Sequence, residues 1–266
     1  GRRSAVITRT GDDPFGRYVH TALRGFGVDD RYVTPVPRLP TPVVFCEVFP
    51  PDDFPIYFYR YPKAPDLEIH DGELDLDAVA AAGVFSVTGT GLSAEPSRTA
   101  TLHALRHRGR RDHTVLDLDY RPTFWPSRAE ASEVYAAALD RASVAVGNLD
   151  EVDVAVGTRE PYDAARRLLD RGVRLAVVKQ GPKGVLACTA EDRVEVAPLP
   201  VRVVNGLGAG DAFGGALCHG LLAGWELDRL MRFCNAAGAI VTSRLACADA
   251  MPSAAEVEAL LAEDAP

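Results

Sequence analysis

Strand-like and helix-like segments alternate along most of the chain, and this alternation limits the fold more than any other feature of the sequence. The apolar periodicity predicts the following series: helix 74–82, strand 84–90, helix 94–108, strand 113–120, helix 128–141, strand 143–147, helix 161–171, strand 173–179, a hairpin of 185–189 with 193–197, and three C-terminal helices. Strands that alternate with helices form a mostly parallel sheet covered by helices. Since such sheets bind ligands at the carboxyl ends of their strands, functional residues are expected there.

The N-terminal quarter follows a different pattern. Apolar spacing predicts a strand over 4–10 and a helix over 14–25 with a proline in its first turn. Between 35 and 65 prolines recur around two β-rich runs, 43–49 and 56–61. Because proline in a sheet is confined to edges, strand starts and bulges, we predict a small protruding hairpin in this segment.

Composition narrows the class of protein. The chain has 266 residues, 47% of them hydrophobic and 25% charged, which is typical of one large soluble α/β domain with an appendage. The net charge of −8 argues against a nucleic-acid partner. Five scattered cysteines without a Cys-x-x-Cys pair argue against zinc or disulfides and favour the cytoplasm. The apolar runs are too short for a membrane span, so no membrane partner is expected.

A glycine-rich turn at 203–211 is the strongest candidate for a functional site. A β-branched strand end leads into glycines at 206, 208 and 210, and an apolar helix follows. First-turn N–H groups of a helix lack intrahelical partners and carry partial positive charge, so they can hold an anion. Asp211 follows the last glycine, where the helix dipole alone also favours an acid. The spacing excludes both the Walker loop and the Rossmann fingerprint.

The string Asn205-Gly-Leu-Gly-Ala-Gly-Asp-Ala-Phe resembles the C-terminal signature of the ribokinase-like (PfkB) sugar kinases. The resemblance implies a three-layer αβα sandwich with a mostly parallel central sheet and a small β lid. It also implies that ATP is the phosphoryl donor, with Mg²⁺. In the family the amides of Gly208, Ala209 and Gly210 form an anion hole, and the residue at Asp211 is the catalytic base.

Potassium is a further cofactor that the resemblance leaves open. Asn205 replaces an acid that commonly begins this motif and helps to hold a monovalent cation in relatives. Residues 243–249 are a second candidate contributor to such a site.

Two N-terminal elements extend the resemblance. Gly11, Asp13 and Gly16, with Gly-Val-Asp at 27–29, resemble a family element of the same spacing. The interval from Gly1 to Gly11 matches the end of the family's N-terminal signature. The resemblance therefore implies that the preceding sugar-binding stretch, Gly-Gly-x-x-Asn, and the first strand lie upstream of residue 1.

The same resemblance implies a domain division. Residues 1–34 and 66–266 are expected to form the α/β domain that binds nucleotide and substrate, and 35–65 the β lid. In the family this lid is often the dimer contact, so a homo-oligomer paired through the lid is expected.

Two arginines are candidates for binding an acidic substrate. Arg121 ends an Asp117-x-Asp119-x-Arg element that resembles a substrate-binding element of the family, although a surface ion pair has the same spacing. Arg60, in the second lid run, resembles the lid arginine of kinases that act on sugar acids. An arginine fork can bind a carboxylate through two hydrogen bonds, so the pair indicates a sugar acid as substrate.

Asn148 and Glu151 follow the strand over 143–147. They match the family's Asn-x-x-Glu motif, in which the acid helps to place Mg²⁺ and the nucleotide phosphates through water. Magnesium prefers oxygen ligands and retains several waters, which agrees with so small a donor set. A helix N-cap with an acid in the first turn has the same spacing.

The remaining candidates concern the nucleotide. Lys179, Gly181 and Gly184 form a strand end and turn at the position of the family's nucleotide-binding turn, although an ordinary β-turn also fits. Asn235, followed by the small residues 236–238, resembles the wall of an adenine slot, and a closely packed helix is the alternative.

Together the residues predict an ATP-dependent sugar-acid kinase. Other sugar kinases of the same family are the alternative within this class. A kinase-like protein that senses a sugar acid or nucleotide without catalysis is the alternative outside it, and the presence of Asp211 favours the enzyme.

Overall fold

The computed structural model describes residues 2–51 and 53–263, and its elements agree closely with the predicted alternation. The helices and strands follow the chain in this order: β1 (Ser4–Ala5), β2 (Thr8–Gly11), α1 (Pro14–Gly25), β3 (Val28–Asp29), β4 (Val33–Val36), β5 (Val43–Cys46), β6 (Ile56–Tyr59), α2 (Leu76–Ala81), β7 (Phe85–Thr88), α3 (Ser97–Arg108), β8 (Thr114–Asp117), α4 (Arg128–Leu139), β9 (Val144–Asn148), α5 (Leu149–Val156), α6 (Pro161–Asp170), β10 (Leu175–Lys179), β11 (Val185–Cys188), β12 (Arg193–Val196), α7 (Ala209–Ala223), α8 (Leu227–Thr242) and α9 (Ala254–Glu263).

The largest sheet has the strand order β12-β11-β10-β9-β8-β7. Strands β7 to β10 are parallel, and the predicted hairpin β11–β12 adds two antiparallel strands at one edge. The register pairs Thr88 with Asp117 and Asn148 with Lys179. Polar residues at the carboxyl ends of β8, β9 and β10 therefore lie close together at the carboxyl-terminal end of the sheet, as the alternation predicted.

Helices cover both faces of this sheet. Successive strand side chains point to opposite faces. Leu116 and Val178 therefore join a core with α3, α4, α5 and α6, whereas their neighbours Val115 and Val177 join a core with α7, α8 and α9. Two separate cores on either side of one sheet make the predicted three-layer arrangement. Within residues 2–51 and 53–263, each helix is too short or too polar to cross a membrane.

The N-terminal strand is shorter than predicted. The segment 4–10 contains two strands, because β1 pairs with β3 while β2 pairs with β4.

The turn between β2 and α1 is held by hydrogen bonds to the side chain of Asp13. The Asp13 carboxylate accepts from the N–H of Gly16 at 2.8 Å and from the N–H of Thr41 at 2.7 Å. A Cβ on Gly16 would lie 2.1 Å from the carbonyl oxygen of Gly11, so this spacing of glycines has a packing cause.

Helix α5 was not predicted, because its apolar pattern extends over barely two turns. A capping box at its start supports it. Asn148 Oδ1 accepts from the N–H groups of Asp150 at 2.9 Å and Glu151 at 3.0 Å, and Glu151 Oε2 accepts from the N–H of Asn148 at 2.7 Å. Local hydrogen bonds thus fix a short helix where periodicity is a weak signal.

The predicted hairpin is present as β5 and β6, with strands shorter than the runs 43–49 and 56–61. Cross-strand pairs place Val43, Phe45, Tyr57 and Tyr59 on one exposed face. The opposite face turns toward the body of the protein, where the Phe58 ring packs edge-on against Phe124 with centroids 4.8 Å apart. We call residues 43–60 the hairpin below.

Candidate active site

Helix α7 begins at the glycine-rich turn in a way that exposes its first amides. Gly208 caps the helix in the left-handed conformation, with φ 87°, and its carbonyl accepts the first intrahelical bond from Ala212 at 2.9 Å. The N–H groups of Gly208, Ala209, Gly210 and Asp211 precede the bond from Ala212 and have no partner within the helix. A Cβ on Gly208 would lie 2.9 Å from Cys247 Sγ, so glycine is required there for space as well as conformation. The first turn of α7 thus presents the N–H donors that the predicted anion cradle needs.

Asp211 lies on this first turn with its side chain exposed to solvent. The surrounding protein raises the pKa of Asp211 above its ordinary value, chiefly by partial desolvation and next through the charge of Asp119, while Lys179 and Arg121 act in the opposite direction. A carboxylate with a raised pKa accepts a proton from a hydroxyl more readily than an ordinary aspartate does. The raised pKa is thus compatible with the general-base role that the sequence predicts for Asp211.

Lys179 brings positive charge to the cradle. Its ammonium group lies 3.6 Å from where a Cβ on Gly210 would stand, and 4.0 Å from Glu151 Oε2. The lysine ends β10 directly beside Asn148 at the end of β9. The structure therefore brings together Lys179, Gly210 and Glu151, which are 28 or more residues apart in the sequence.

Glu151 is a buried carboxylate with two cationic neighbours. Its side chain is 5% exposed and lies 3.9 Å from the Arg121 guanidinium as well as near Lys179. The capping box shows that Asn148 and Glu151 act as a helix N-cap and its partner, which was the structural alternative.

Among the residues that the structure describes, His, Cys, Asp and Glu form no cluster of three that could hold a metal alone. Carboxylate and amide oxygens at this edge fit Mg²⁺ that keeps its waters and binds phosphate as well.

Asp117 is a site residue to which sequence reasoning gave no role of its own. Burial raises the pKa of Asp117 to about 6, Lys179 opposes the rise, and the charges of Glu151, Asp119 and Asp211 add to it. An acid that ends an otherwise apolar strand, Thr-Val-Leu-Asp, was the available signal. Its burial follows from its place between neighbouring parallel strands.

Asp119 has a strained backbone. Its φ is 34°, which is the positive-φ region that a non-glycine residue rarely adopts, and Thr90 Oγ1 donates to its carboxylate at 2.6 Å. Arg121 then bonds the other carboxylate oxygen at 3.0 Å. Such strain is often found at functional sites, and the charges of Asp119 and Arg121 both act on Asp211.

Arg60 is held by two residues that the sequence did not indicate. Its guanidinium lies 2.6 Å from Asp66 and stacks over the Phe124 ring at 4.8 Å. Phe124 comes three residues after Arg121, so it connects the hairpin arginine with the segment that bears the other arginine. These partners leave further guanidinium N–H groups of Arg60 for a ligand.

The proposed nucleotide residues also have structural contacts. A Cβ on Gly184, whose φ is 90°, would lie 2.0 Å from the carbonyl oxygen of Val196, and Gly181 starts the turn with φ 59°. Asn235 Nδ2 donates to the carbonyl oxygen of Ala197 at 2.8 Å. The turn at 181–184 and helix α8 therefore contact adjacent residues, Val196 and Ala197. These contacts agree with the structural alternatives for the same residues, a tight turn and a closely packed helix.

Comparison with known proteins identifies the class that this fold and site define. Residues 1–254 match the pfkB family of carbohydrate kinases, and the chain belongs to that family. A 5-dehydro-2-deoxygluconokinase from Geobacillus kaustophilus is 32% identical over 97% of the chain and 79% of that enzyme. One from Halalkalibacterium halodurans is 31% identical over 99% of the chain and 81% of that enzyme.

Solved structures agree with the predicted ribokinase-like fold. A putative ribokinase II from Escherichia coli, in complex with ATP and Mg²⁺, has a TM-score of 0.88 at 22% identity over 99% of the chain and 84% of that protein. A fructokinase from Vibrio cholerae, bound to fructose, ADP and calcium ion, has a TM-score of 0.82 at 26% identity over 97% of the chain and 85% of that protein.

Proposed function

We propose that the protein transfers the γ-phosphoryl group of ATP to the C6 hydroxyl of 5-dehydro-2-deoxy-D-gluconate. The relatives of that name cover nearly the whole chain at 31–32% identity. Two stretches, Asn205 to Asp211 and Ser243 to Pro252, also resemble this kinase more than other members of the family. The cytoplasm is the compartment that suits such a catabolic enzyme and the free cysteines.

The arrangement of Asp211 on the α7 anion cradle, beside Lys179, carries this proposal. The C6 hydroxyl oxygen attacks the γ-phosphorus, its proton passes to the Asp211 carboxylate, and the bond to the β–γ bridging oxygen breaks to release ADP. The amides of Gly208, Ala209 and Gly210 stabilise charge on the transferred group, where one such donor is worth about 3 kcal/mol of barrier. Lys179 offsets charge on the phosphates.

Asn148 and Glu151 are the residues that would hold magnesium, through water. When bound, the ion neutralises charge on the nucleotide phosphates. Gly181, Gly184 and Asn235 lie at the carboxyl edge of β10 and on the adjoining α8, where they would contact the nucleotide.

Arg60 and Arg121 would bind the substrate carboxylate. Phe124 packs under the Arg60 guanidinium and follows Arg121 by three residues, so the segments that bear the two arginines are in contact. A 2-dehydro-3-deoxygluconokinase would use the same two arginines and is the alternative substrate assignment, ahead of other sugar kinases of the family. A catalytically inactive sensor of a sugar acid or nucleotide is the non-enzyme alternative.

The exposed face of the hairpin is a candidate dimer contact. Val43, Phe45, Tyr57 and Tyr59 form a contiguous apolar strip in which Phe45 and Tyr59 already pack edge-on at 5.6 Å. A second copy of the chain could cover this strip, since exposed apolar patches mark interaction sites.

Coupled ADP release with Mg-ATP tests the function. The panel contains 5-dehydro-2-deoxygluconate, 2-dehydro-3-deoxygluconate, neutral sugars and nucleosides, with the Asp211→Asn protein as the blank. We expect Asp211-dependent turnover to be strongest on the first compound. Turnover strongest on a neutral sugar would contradict the substrate assignment, and nucleotide binding without turnover on any compound would favour the sensor.

A further inference from the structure

The anion cradle is tied to a distant segment of the chain by the side chain of Asn205. This asparagine is 4% exposed. Its Nδ2 donates to the carbonyl oxygen of Leu245 at 2.8 Å, and its Oδ1 accepts from the N–H of Leu207 at 3.0 Å. Because Leu207 offers a donor, the amide oxygen must face it, and the amide nitrogen therefore faces Leu245.

Backbone contacts strengthen the same link. The N–H groups of Val204 and Asn205 both donate to the carbonyl oxygen of Thr242, at 2.8 and 3.1 Å. The Cβ position of Gly208 is bounded by Cys247 at 2.9 Å and Met251 at 3.5 Å. The start of α7 therefore rests on residues 242–251, and its position depends on how firmly the two segments are joined.

A monovalent cation could join two such segments in another way. A fructokinase from Vibrio cholerae, 26% identical, has been solved in a potassium-bound form. Potassium is held by several oxygens that point to one centre and replace its water shell. At the junction described here, the Leu245 carbonyl meets an N–H donor at 2.8 Å instead of a second oxygen. The residues present therefore do not fit potassium at this carbonyl.

We infer that the Asn205 amide takes the place of a bridging cation, so that the anion cradle is held without potassium. The amide N–H offers the Leu245 carbonyl the positive partner that an ion would otherwise supply. Asn205 is accordingly a positioning residue for Gly208, Ala209 and Gly210. The stability readout below is independent of the proposed function, and only the rate readout rests on it.

A single isosteric substitution tests this inference, because it should make the protein depend on potassium. Asn205→Asp places a carboxylate oxygen against the Leu245 carbonyl oxygen and leaves a buried negative charge without a positively charged partner. A potassium ion between these oxygens would offset the charge. The variant should therefore require the cation that the natural protein does not need. Asn205→Leu, similar in size but uncharged, is the matched control.

The experiment compares potassium chloride with tetramethylammonium chloride at equal ionic strength. Thermal unfolding is measured without substrate, and ADP release with Mg-ATP and the sugar acid. We expect the natural protein to have the same Tm and rate in both salts. Asn205→Asp should lose about tenfold or more of its rate in tetramethylammonium, with a lower Tm, and recover both in potassium. Asn205→Leu should be destabilised equally in both salts.

Several outcomes would overturn the inference. A severalfold rise in the natural protein's rate or a clear rise in its Tm with potassium would show that the cradle needs the ion. A folded Asn205→Asp protein that ignores potassium in both readouts would show that the amide does not stand in for a cation. If no sugar acid is turned over, the Tm comparison still decides the question, so failure of the proposed function remains separate.

Discussion

The start of α7 and the hairpin lie close together, since a Cβ on Gly206 would stand 3.0 Å from the Phe54 ring, but the two are built differently. The glycine-rich turn is fixed by a buried asparagine, a left-handed glycine and close contacts with Cys247. The hairpin has two short strands, an exposed aromatic face, and contacts with the body through side chains such as Phe58. Phosphoryl transfer requires fixed geometry, whereas substrate selection tolerates a more exposed element. We therefore propose that the turn carries out the chemistry and that the hairpin contributes to the choice of substrate.

Asp211→Asn should have the largest effect, because it removes the base while keeping the shape. We expect kcat to fall about 10³-fold, within the range for general-base catalysis. ATP binding, measured as the rise in Tm on adding Mg-ATP, should persist. Unchanged kcat would show that another group accepts the proton.

Gly208→Ala should rank next, since it disturbs the cradle without touching a reacting group. The new Cβ would meet Cys247 Sγ at 2.9 Å in a backbone with φ 87°. We expect kcat to fall about 10²-fold, as for loss of an anion-hole donor, and the free energy of unfolding to fall by about 1–3 kcal/mol. Gly214→Ala on the same helix, where a Cβ meets nothing within 4 Å, is the control and should be tolerated. Equal kcat values for Gly208→Ala and Gly214→Ala would show that catalysis is no more sensitive to a Cβ at the start of α7 than further along the helix.

Arg60→Lys tests the hairpin half of the comparison. Lysine keeps the charge but loses the planar fork and the stacking on Phe124. We expect KM for the sugar acid to rise about tenfold, with KM for ATP unchanged. Arg38→Lys, shortly before the hairpin in the sequence and with its side chain 72% exposed, is the matched control. A fall in kcat at constant KM would place Arg60 in the chemical step instead.

Asp117→Asn tests how the buried acid at the carboxyl end of β8 affects stability. Because burial raises the pKa of Asp117 to about 6, the folded state binds a proton more tightly than the unfolded state between pH 4 and 6. Stability from this group is thus present below pH 4 and is lost as pH rises through 6. Asparagine should therefore stabilise the protein at pH 8 by about 2 kcal/mol, and this gain should disappear near pH 4. Thermal unfolding across pH measures it, with Asp12→Asn as a charge control.

Phe45→Ser should have the smallest effect on the isolated chain, because the side chain is 59% exposed. We expect a change in unfolding free energy within about 0.5 kcal/mol and weaker self-association in sedimentation. Phe58→Ser, on the opposite face of the same hairpin, should instead raise KM for the sugar acid through its contact with Phe124. If both variants behaved alike, the two faces of the hairpin would have no separate roles.

Sequence alone could predict features that depend on local patterns. Periodicity predicted the parallel sheet and its covering helices, and the glycine-rich turn predicted the start of α7 at Gly208 and Ala209. Helix α5 was missed, because a capping box at Asn148 and Glu151 supports it more than apolar periodicity does. The strand over 4–10 was drawn too long, because pairing with two different partners divides it.

Contacts between distant residues could not be predicted in this way. The bond from Asn205 to Leu245 spans 40 residues, and the stacking of Arg60 on Phe124 joins two elements that are separate in sequence. Burial of Asp117 depends on its pairing with β7 and β9, which come from earlier and later parts of the chain. The domain boundaries at 34 and 65 and the roles assigned to the site residues stay predictions.

The most direct test of the central claim is ³¹P NMR of a mixture of the protein, Mg-ATP and 5-dehydro-2-deoxygluconate. A phosphomonoester signal coupled to the C6 protons should appear together with ADP, and it should be absent with Asp211→Asn. Formation of ADP and inorganic phosphate alone, or of the same monoester at an unchanged rate by Asp211→Asn, would contradict the account.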